Sequence, residues 1–412
     1  MSAALFSSLL HFSKLLGFAL VIVGVFISGV FWSKKLPQSP PIPEHHGERS
    51  TILPNPEPED FFPVAEFRQQ SAILLGAYDR FQTNPKLYLD IARAIDKRVP
   101  LFGLVNSEAA AIAARKVFQR AGMPEGSMYF VPLPANTVWI RDYAPFFVRR
   151  EDNSVFMIDA KYQSRHSREI RTRDEEMANT LADLLDLRIR SIPLIIEGGN
   201  FLSNGDGTIF TTSKMVGLNK EFRFNEEILG DLINDYFGVR HWIYTPSLES
   251  EPTGHLDMFG AILAKNIMVV GHIDPAVDPE NSRRLDAAAE YFARAPTSLG
   301  PMQVFRIPMP TKSGEYWRSY TNIILANGIL LMPSFSDVAP AIEDAAEAVY
   351  RNLLPGWEIK KIDCDSLVSG EGQLHCMSYN LPKYVSIDGL LKKAGVERRK
   401  DREPRIQSVR IQ

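Results

Sequence analysis

Cysteine is scarce: 412 residues hold only Cys364 and Cys376, too few for a disulfide framework and without the paired spacing of a zinc site. An excess of charge of either sign is missing too. With a formal net charge of −3 and no basic stripe interleaved with aromatics, a nucleic-acid partner has little electrostatic support. No G-x-G-x-x-G opens a helix after a strand, and no G-x-x-x-x-G-K-[ST] occurs, so the commonest dinucleotide and nucleoside-triphosphate cradles are missing. EF-hand and histidine-rich metal patterns are missing as well. What remains is ordinary folded composition, 45% hydrophobic and 23% charged, enough for one large core or two smaller ones.

One long apolar run stands apart. "LLGFALVIVGVFISGVFW", Leu15 to Trp32, carries no charge over eighteen residues and is flanked by Lys14 and by Lys34 and Lys35. That length spans a bilayer. The run is long for a signal-peptide core and no A-x-A-like site follows, so the reading is an uncleaved anchor over residues 1–35, with a cleaved signal peptide as the alternative. Its partner is then the lipid bilayer, and the protein is membrane-anchored by a single N-terminal helix. Flanking positive charges nearly balance, which leaves the side of the membrane open. Residues 36–60 are dense in proline and read as an extended spacer in which His45 and His46 are solvated. A catalytic domain is expected over residues 61–412, ending in a basic tail.

Within that domain short apolar runs alternate with helical stretches. "AILLGAY", "LFGLV" and "MYFVPL" read as strands. "PKLYLDIARAIDKRV", "SEAAAIAARKVFQRAG", "TRDEEMANTLADLLDL", "PENSRRLDAAAEYFARA" and "DVAPAIEDAAEAVYRNL" read as helices. "FGAILAKNIMVVGH" reads as a hairpin turning at Lys265-Asn266, whose register sets His272 opposite Phe259. The fold class is α/β.

Polar residues stand out in apolar or glycine-rich surroundings: Asp142, Glu197, His255, Asn322 and Cys376, at intervals of 55, 58, 67 and 54 residues. Such quasi-periodicity suggests similar modules around a common centre, each contributing one group.

The motifs around these positions are W-x-R-D-x-x-P (Trp139 to Pro145), E-G-G-N (Glu197 to Asn200), G-H-x-D (Gly254 to Asp257), S-Y-x-N-x-x-x-A-N-G (Ser319 to Gly328) and G-x-G-x-x-H-C (Gly370 to Cys376). In this order the chain resembles the agmatine deiminase and bacterial-type peptidylarginine deiminase family of the guanidine-modifying superfamily, from about Phe62 to Val385. The resemblance implies a five-fold pseudosymmetric α/β propeller of the pentein type. It implies hydrolytic deimination of a guanidinium to a ureido product and ammonia, through a covalent Cys376-amidino intermediate. His255 would act as acid and then base, and Glu197 would orient and charge it. The chemistry of the residue types agrees, because a planar, permanently charged guanidinium asks for carboxylates, here Asp142 and Asp257. Trp139 would wall the pocket, and Asn322 would support it by hydrogen bonding. Neither a metal nor an organic cofactor is demanded.

Three positions carry structural expectations instead. His375 should point away from Cys376 along an extended strand, Cys364 should be a small buried residue, and His272, in a second G-H-x-D, should be a structural histidine or lie behind the site. Substrate choice rests on "MIDAKYQSRHSREIR", which departs from agmatine deiminases and offers Arg165 and Arg168 to a substrate carboxylate. Free or peptidyl arginine is favoured over agmatine on that ground. An amidinotransferase or an inactive binding homologue are the alternatives, and no signal fixes oligomeric state.

Overall fold

The computed structural model describes residues 50–52, 61–162 and 171–396, apart from Thr311, Ser313 and Glu315. All belong to one compact unit beginning at Gly47. The apolar run, His45, His46, Arg165, Arg168 and the basic tail lie outside the described residues. Among those described, no helix is long and apolar enough to cross a membrane.

One pattern recurs in five sheets of three or four strands: a strand, its antiparallel neighbour, a helix, and a strand parallel to that neighbour. In the first sheet Phe146–Arg150 pairs with Val155–Lys161, and helix Met177–Leu185 leads to Ile189–Ile195. The second runs Leu202–Ser203, Thr208–Thr212, helix Glu226–Phe237 and His241–Thr245. The third runs Gly260–Ala264, Ile267–His272, helix Pro279–Phe292 and Gln303–Pro308. The fourth runs Ile324–Ala326, Ile329–Ser334, helix Pro340–Leu353 and Glu358–Asp363. The fifth joins both ends of the catalytic domain: Ser378–Pro382 pairs antiparallel with Gln70–Gly76, which continues through helix Pro85–Ile95 to the parallel strand Leu101–Val105 and then to Tyr129–Pro132.

Local chemistry sets these boundaries. Asn84 caps the helix that opens with Pro85 by accepting from the Leu87 amide, Ser107 does the same for the Ala110 amide, and Asp278 serves the helix opening with Pro279. Each cap satisfies an otherwise orphaned N–H and is worth about 1 kcal/mol. Gly238, at φ 63°, closes Glu226–Phe237 in the left-handed conformation that glycine adopts without strain. Leu101–Val105 is buried at every position, as a strand flanked by parallel neighbours requires.

Several expectations need correction. The helix read over "TRDEEMANTLADLLDL" breaks into Thr172–Glu175 and Met177–Leu185. Its Asp174 turns inward and accepts from the Asn136 and Thr137 amides at 2.6 and 3.2 Å, a tertiary demand that a straight helix does not meet. The hairpin turns at Lys265-Asn266, but a register shift between Ile262 and Ala264 moves its pairing by one residue. His272 ends up exposed, not a buried structural histidine. Inside the stretch read as spacer, Ser50–Ile52 pairs antiparallel with His241–Ile243.

A candidate active site where the five sheets converge

Each marker residue occupies the loop just before the first strand of one sheet. Asp142 lies in the helical turn Ile140–Tyr143 ahead of Phe146–Arg150, and Glu197 opens the turn Gly198–Asn200 ahead of Leu202–Ser203. His255 opens Leu256–Met258 ahead of Gly260–Ala264. Asn322 and Cys376 precede Ile324–Ala326 and Ser378–Pro382. Equivalent positions in repeated modules therefore bring residues far apart in sequence to one place.

Cys376 is buried, 3% exposed. Its Sγ lies 3.1 Å from Asn322 Nδ2 and 3.7 Å from Asp257 Oδ2. Asn322 Oδ1 accepts from the His375 and Cys376 amides at 2.9 and 3.3 Å, fixing the turn that carries the thiol. Burial, then the carboxylates Asp257 and Asp142, push the Cys376 thiol well up. These influences favour the thiol, and a cation placed between the two aspartates favours the thiolate.

His255 is equally buried. Its Nε2 lies 2.8 Å from Glu197 Oε2 and 3.2 Å from Lys214 Nζ, while Lys214 also pairs with Glu197. Burial and Lys214 press the imidazole toward neutrality, but Asp142 and Glu197 outweigh them and raise it above its ordinary value. Glu197 is lowered despite burial, because His255 and Lys214 both favour its charge. Burial raises Asp142. The loop bearing His255 is fastened by Glu251, whose carboxylate accepts from the Thr253 and Gly254 amides at 2.9 and 2.5 Å.

Three buried polar atoms at this centre have no hydrogen-bond partner: Asp142 Oδ1, Asp257 Oδ1 and His255 Nδ1. His255 Nδ1 and Asp142 Oδ1 face each other at 3.6 Å, an ion pair when the imidazole is protonated but too long for a hydrogen bond. Buried polar groups without a hydrogen bond cost about 1–3 kcal/mol each, and here they surround one space. Gly199 shows how that space is kept: a Cβ added there would lie 2.6 Å from His255 Nδ1, 2.9 Å from Asp257 Oδ2 and 3.1 Å from Asp142 Oδ1. A cleft opens onto it, walled by Trp139, Tyr162, Arg171, Thr253 and the Gly370-Glu371-Gly372 turn. Trp139 is held against that turn so closely that a Cβ on Gly370 or Gly372 would come within 2.6 or 2.7 Å of its ring.

His375 differs from expectation. It sits in a turn rather than a strand, and its Nδ1 and Nε2 meet Asp257 Oδ2 at 2.7 Å and Glu66 Oε2 at 2.8 Å. It thus holds Asp257 beside the thiol. Glu66 pairs in turn with Arg141, whose Nη2 lies 3.1 Å from Asn380 Oδ1. Cys364 is buried at the end of Glu358–Asp363.

The structure thus gathers Asp142, Glu197, His255, Asp257, Asn322, Cys376 and Trp139. Arg165 and Arg168 lie outside the described residues. Lys214, Glu66, Arg171, Tyr162 and Glu371 were not singled out from sequence, and Arg141 was only quoted within a motif. Among the described residues, no group of three His, Cys, Asp or Glu side chains is arranged to hold a metal ion.

Residues 64–382 match the family model described as Porphyromonas-type peptidyl-arginine deiminase. An agmatine deiminase from Stutzerimonas stutzeri is 22% identical, over 81% of this chain and 98% of its own length. Among solved structures, the agmatine deiminase of Enterococcus faecalis is similar at a TM-score of 0.68 with 19% identity, covering 79% of this chain and 96% of that one. A variant of the C. jejuni agmatine deiminase with substrate bound gives 0.67 at 16% identity, covering 79% and 97%. At these identities the likeness of the structures is one of fold.

Proposed function

The chain belongs to the Porphyromonas-type peptidyl-arginine deiminase family, and we propose that it hydrolyses a guanidinium substrate to a ureido product and ammonia through Cys376. The supporting observation is the set of acceptor and imidazole atoms without a hydrogen bond, Asp142 Oδ1, Asp257 Oδ1 and His255 Nδ1, around a space beside the thiol that Gly199 leaves open. A guanidinium there satisfies both carboxylates with its own N–H groups; burial is the main cause that keeps Cys376 protonated and the two carboxylates come second, and the cation offsets the carboxylates and adds its own pull toward the thiolate. The thiolate attacks the central carbon, and the C–N bond to one terminal nitrogen breaks. His255, held as imidazolium by Glu197, gives that nitrogen its proton, and ammonia leaves an amidino thioether. The neutral imidazole then takes a proton from water, hydroxide adds to the same carbon, and collapse releases the ureido product and the thiolate. Asn322 holds the sulfur in line by its 3.1 Å contact.

The basic stretch with Arg165 and Arg168 favours a substrate carboxylate, hence free arginine or arginine at a peptide C-terminus, and Arg171 in the cleft wall adds to that field. Agmatine is the second reading, favoured by the relatives named for it. The five sheets are read as blades of one propeller, and the run Leu15 to Trp32 as the membrane anchor. The test is ammonia and ureido product from agmatine, free arginine and arginine peptides, with Cys376→Ala alongside. Product lost in the variant is expected. Amine-dependent turnover without ammonia would instead make the protein an amidinotransferase.

A further inference from the structure

Glu371 departs from what its backbone asks for. It takes a left-handed conformation, φ 64°, which costs a residue with a side chain about 1 kcal/mol and which glycine adopts freely. Its neighbours Gly370 and Gly372 already supply the small residues that let the turn press on Trp139. A third glycine would serve the turn better. Instead the chain carries a carboxylate, half-buried in the wall of the cleft that leads to Cys376. Among the described residues that carboxylate forms no hydrogen bond or ion pair. Strain of this kind at a site wall points to a ligand contact.

We infer that Glu371 receives a free ammonium on the tail of the substrate, which makes the substrate a small guanidine with an unacylated amine. This rests on the deiminase reading above. With its guanidinium between Asp142 and Asp257, a substrate must run its tail past Trp139 toward the rest of the cleft wall, where Glu371, Tyr162 and Arg171 stand. Agmatine and free arginine place their amine on the same carbon relative to the guanidinium, so one carboxylate serves both. In free arginine the carboxylate on that carbon meets Arg171, which is steadied by Tyr162 Oη at 3.2 Å. An arginine acylated on its α-nitrogen offers Glu371 no charge and leaves a desolvated carboxylate unpaired. Of the two substrates that the basic stretch favours, this contact selects free arginine over arginine at a peptide C-terminus, and it selects against arginine inside a peptide as well.

The test compares four substrates on the full-length protein: agmatine, arginine, Nα-acetylarginine and n-butylguanidine, the last lacking the amine. For the native protein, kcat/KM for agmatine over butylguanidine and for arginine over acetylarginine should each exceed one by roughly tenfold or more, the weight of a charge-assisted hydrogen bond. In Glu371→Gln both ratios should fall toward one, mainly through KM. Glu371→Gly should lose the same selectivity while its Tm stays at or above the native value, because left-handed strain is relieved; that separates recognition from misfolding. Native ratios near one, or ratios unchanged in both variants, overturn the inference and leave the deiminase standing. Silence of the native protein on all four guanidines overturns this inference, and turnover of the arginine peptides in the preceding test then decides separately whether the deiminase reading stands.

Discussion

At the scale of single residues, the site divides its labour by charge. Glu197 Oε2 faces two cations, His255 and Lys214, so Lys214 competes with the imidazolium for the carboxylate and also repels it from 3.2 Å. Its effect on His255 is downward, against the upward pull of Asp142 and Glu197. A histidine raised by its neighbours stays protonated to a higher pH, and the acid step is lost as pH climbs through that raised value. Lys214→Met removes a downward influence, so the alkaline limb of the kcat/KM profile should move to higher pH. An unmoved limb, or one displaced toward acid, would show that Lys214 does not tune His255. Titrating ammonia release across the alkaline range in both proteins decides between these outcomes.

At the scale of elements, the turn Gly198–Asn200 shows what a short motif encodes. Gly198 is small because a Cβ there would come within 2.0 Å of the Arg141 carbonyl oxygen, and Asn200 Oδ1 accepts from the Thr212 amide at 2.8 Å to hold the turn. Gly199 keeps clear the space among His255, Asp257 and Asp142 that the proposed mechanism assigns to the guanidinium. Gly199→Ala should therefore cut turnover by roughly a hundredfold or more, as expected when near-attack geometry is spoiled, while overpacking costs about 1–3 kcal/mol of stability. Turnover near the native level, measured beside a thermal melt, would mean that the guanidinium sits elsewhere. Elements of this kind were legible where local chemistry decides them. Leu101–Val105 and Pro85–Ile95 announce themselves by an unbroken apolar run and by an Asn-Pro cap, the loop with Glu197 by a charge next to an apolar run, where an unpaired group is costly, and the loop with His255 by its G-H-x-D motif. Illegible features depend on distant partners. Asp174 breaks its helix to reach residues 136 and 137, Lys214 matters through a histidine 41 residues on, and Glu66 through one 309 residues on. Nothing near those residues in the chain marks them as different from other surface charges.

At the scale of the whole molecule, the fifth sheet needs both ends of the catalytic domain, since Ser378–Pro382 pairs with Gln70–Gly76. Contacts so remote in sequence form late and at high entropic cost. The Glu66 network fastens the same junction: its carboxylate pairs with Arg141 from the first module and with His375 from the last, and Arg141 reaches Asn380 in the closing strand. Burial alone would raise the Glu66 carboxyl, but Arg141 and His375 outweigh it and hold the group at about 2, against an ordinary 4.5. A carboxylate depressed in the folded state contributes stability that is complete above its unfolded value and disappears as pH falls through the folded one. Between 4.5 and about 2 that contribution amounts to roughly 3 kcal/mol at most, and solvent screens part of it because the side chain is 29% exposed. Denaturant unfolding at a series of pH values should therefore show the native protein losing stability steadily across this window. Glu66→Gln should start less stable at neutral pH and decline less steeply through the same range, because the charge lost on acidification is already absent. Parallel declines in the two proteins would place the acid sensitivity in other carboxylates and leave the junction held by strand pairing alone.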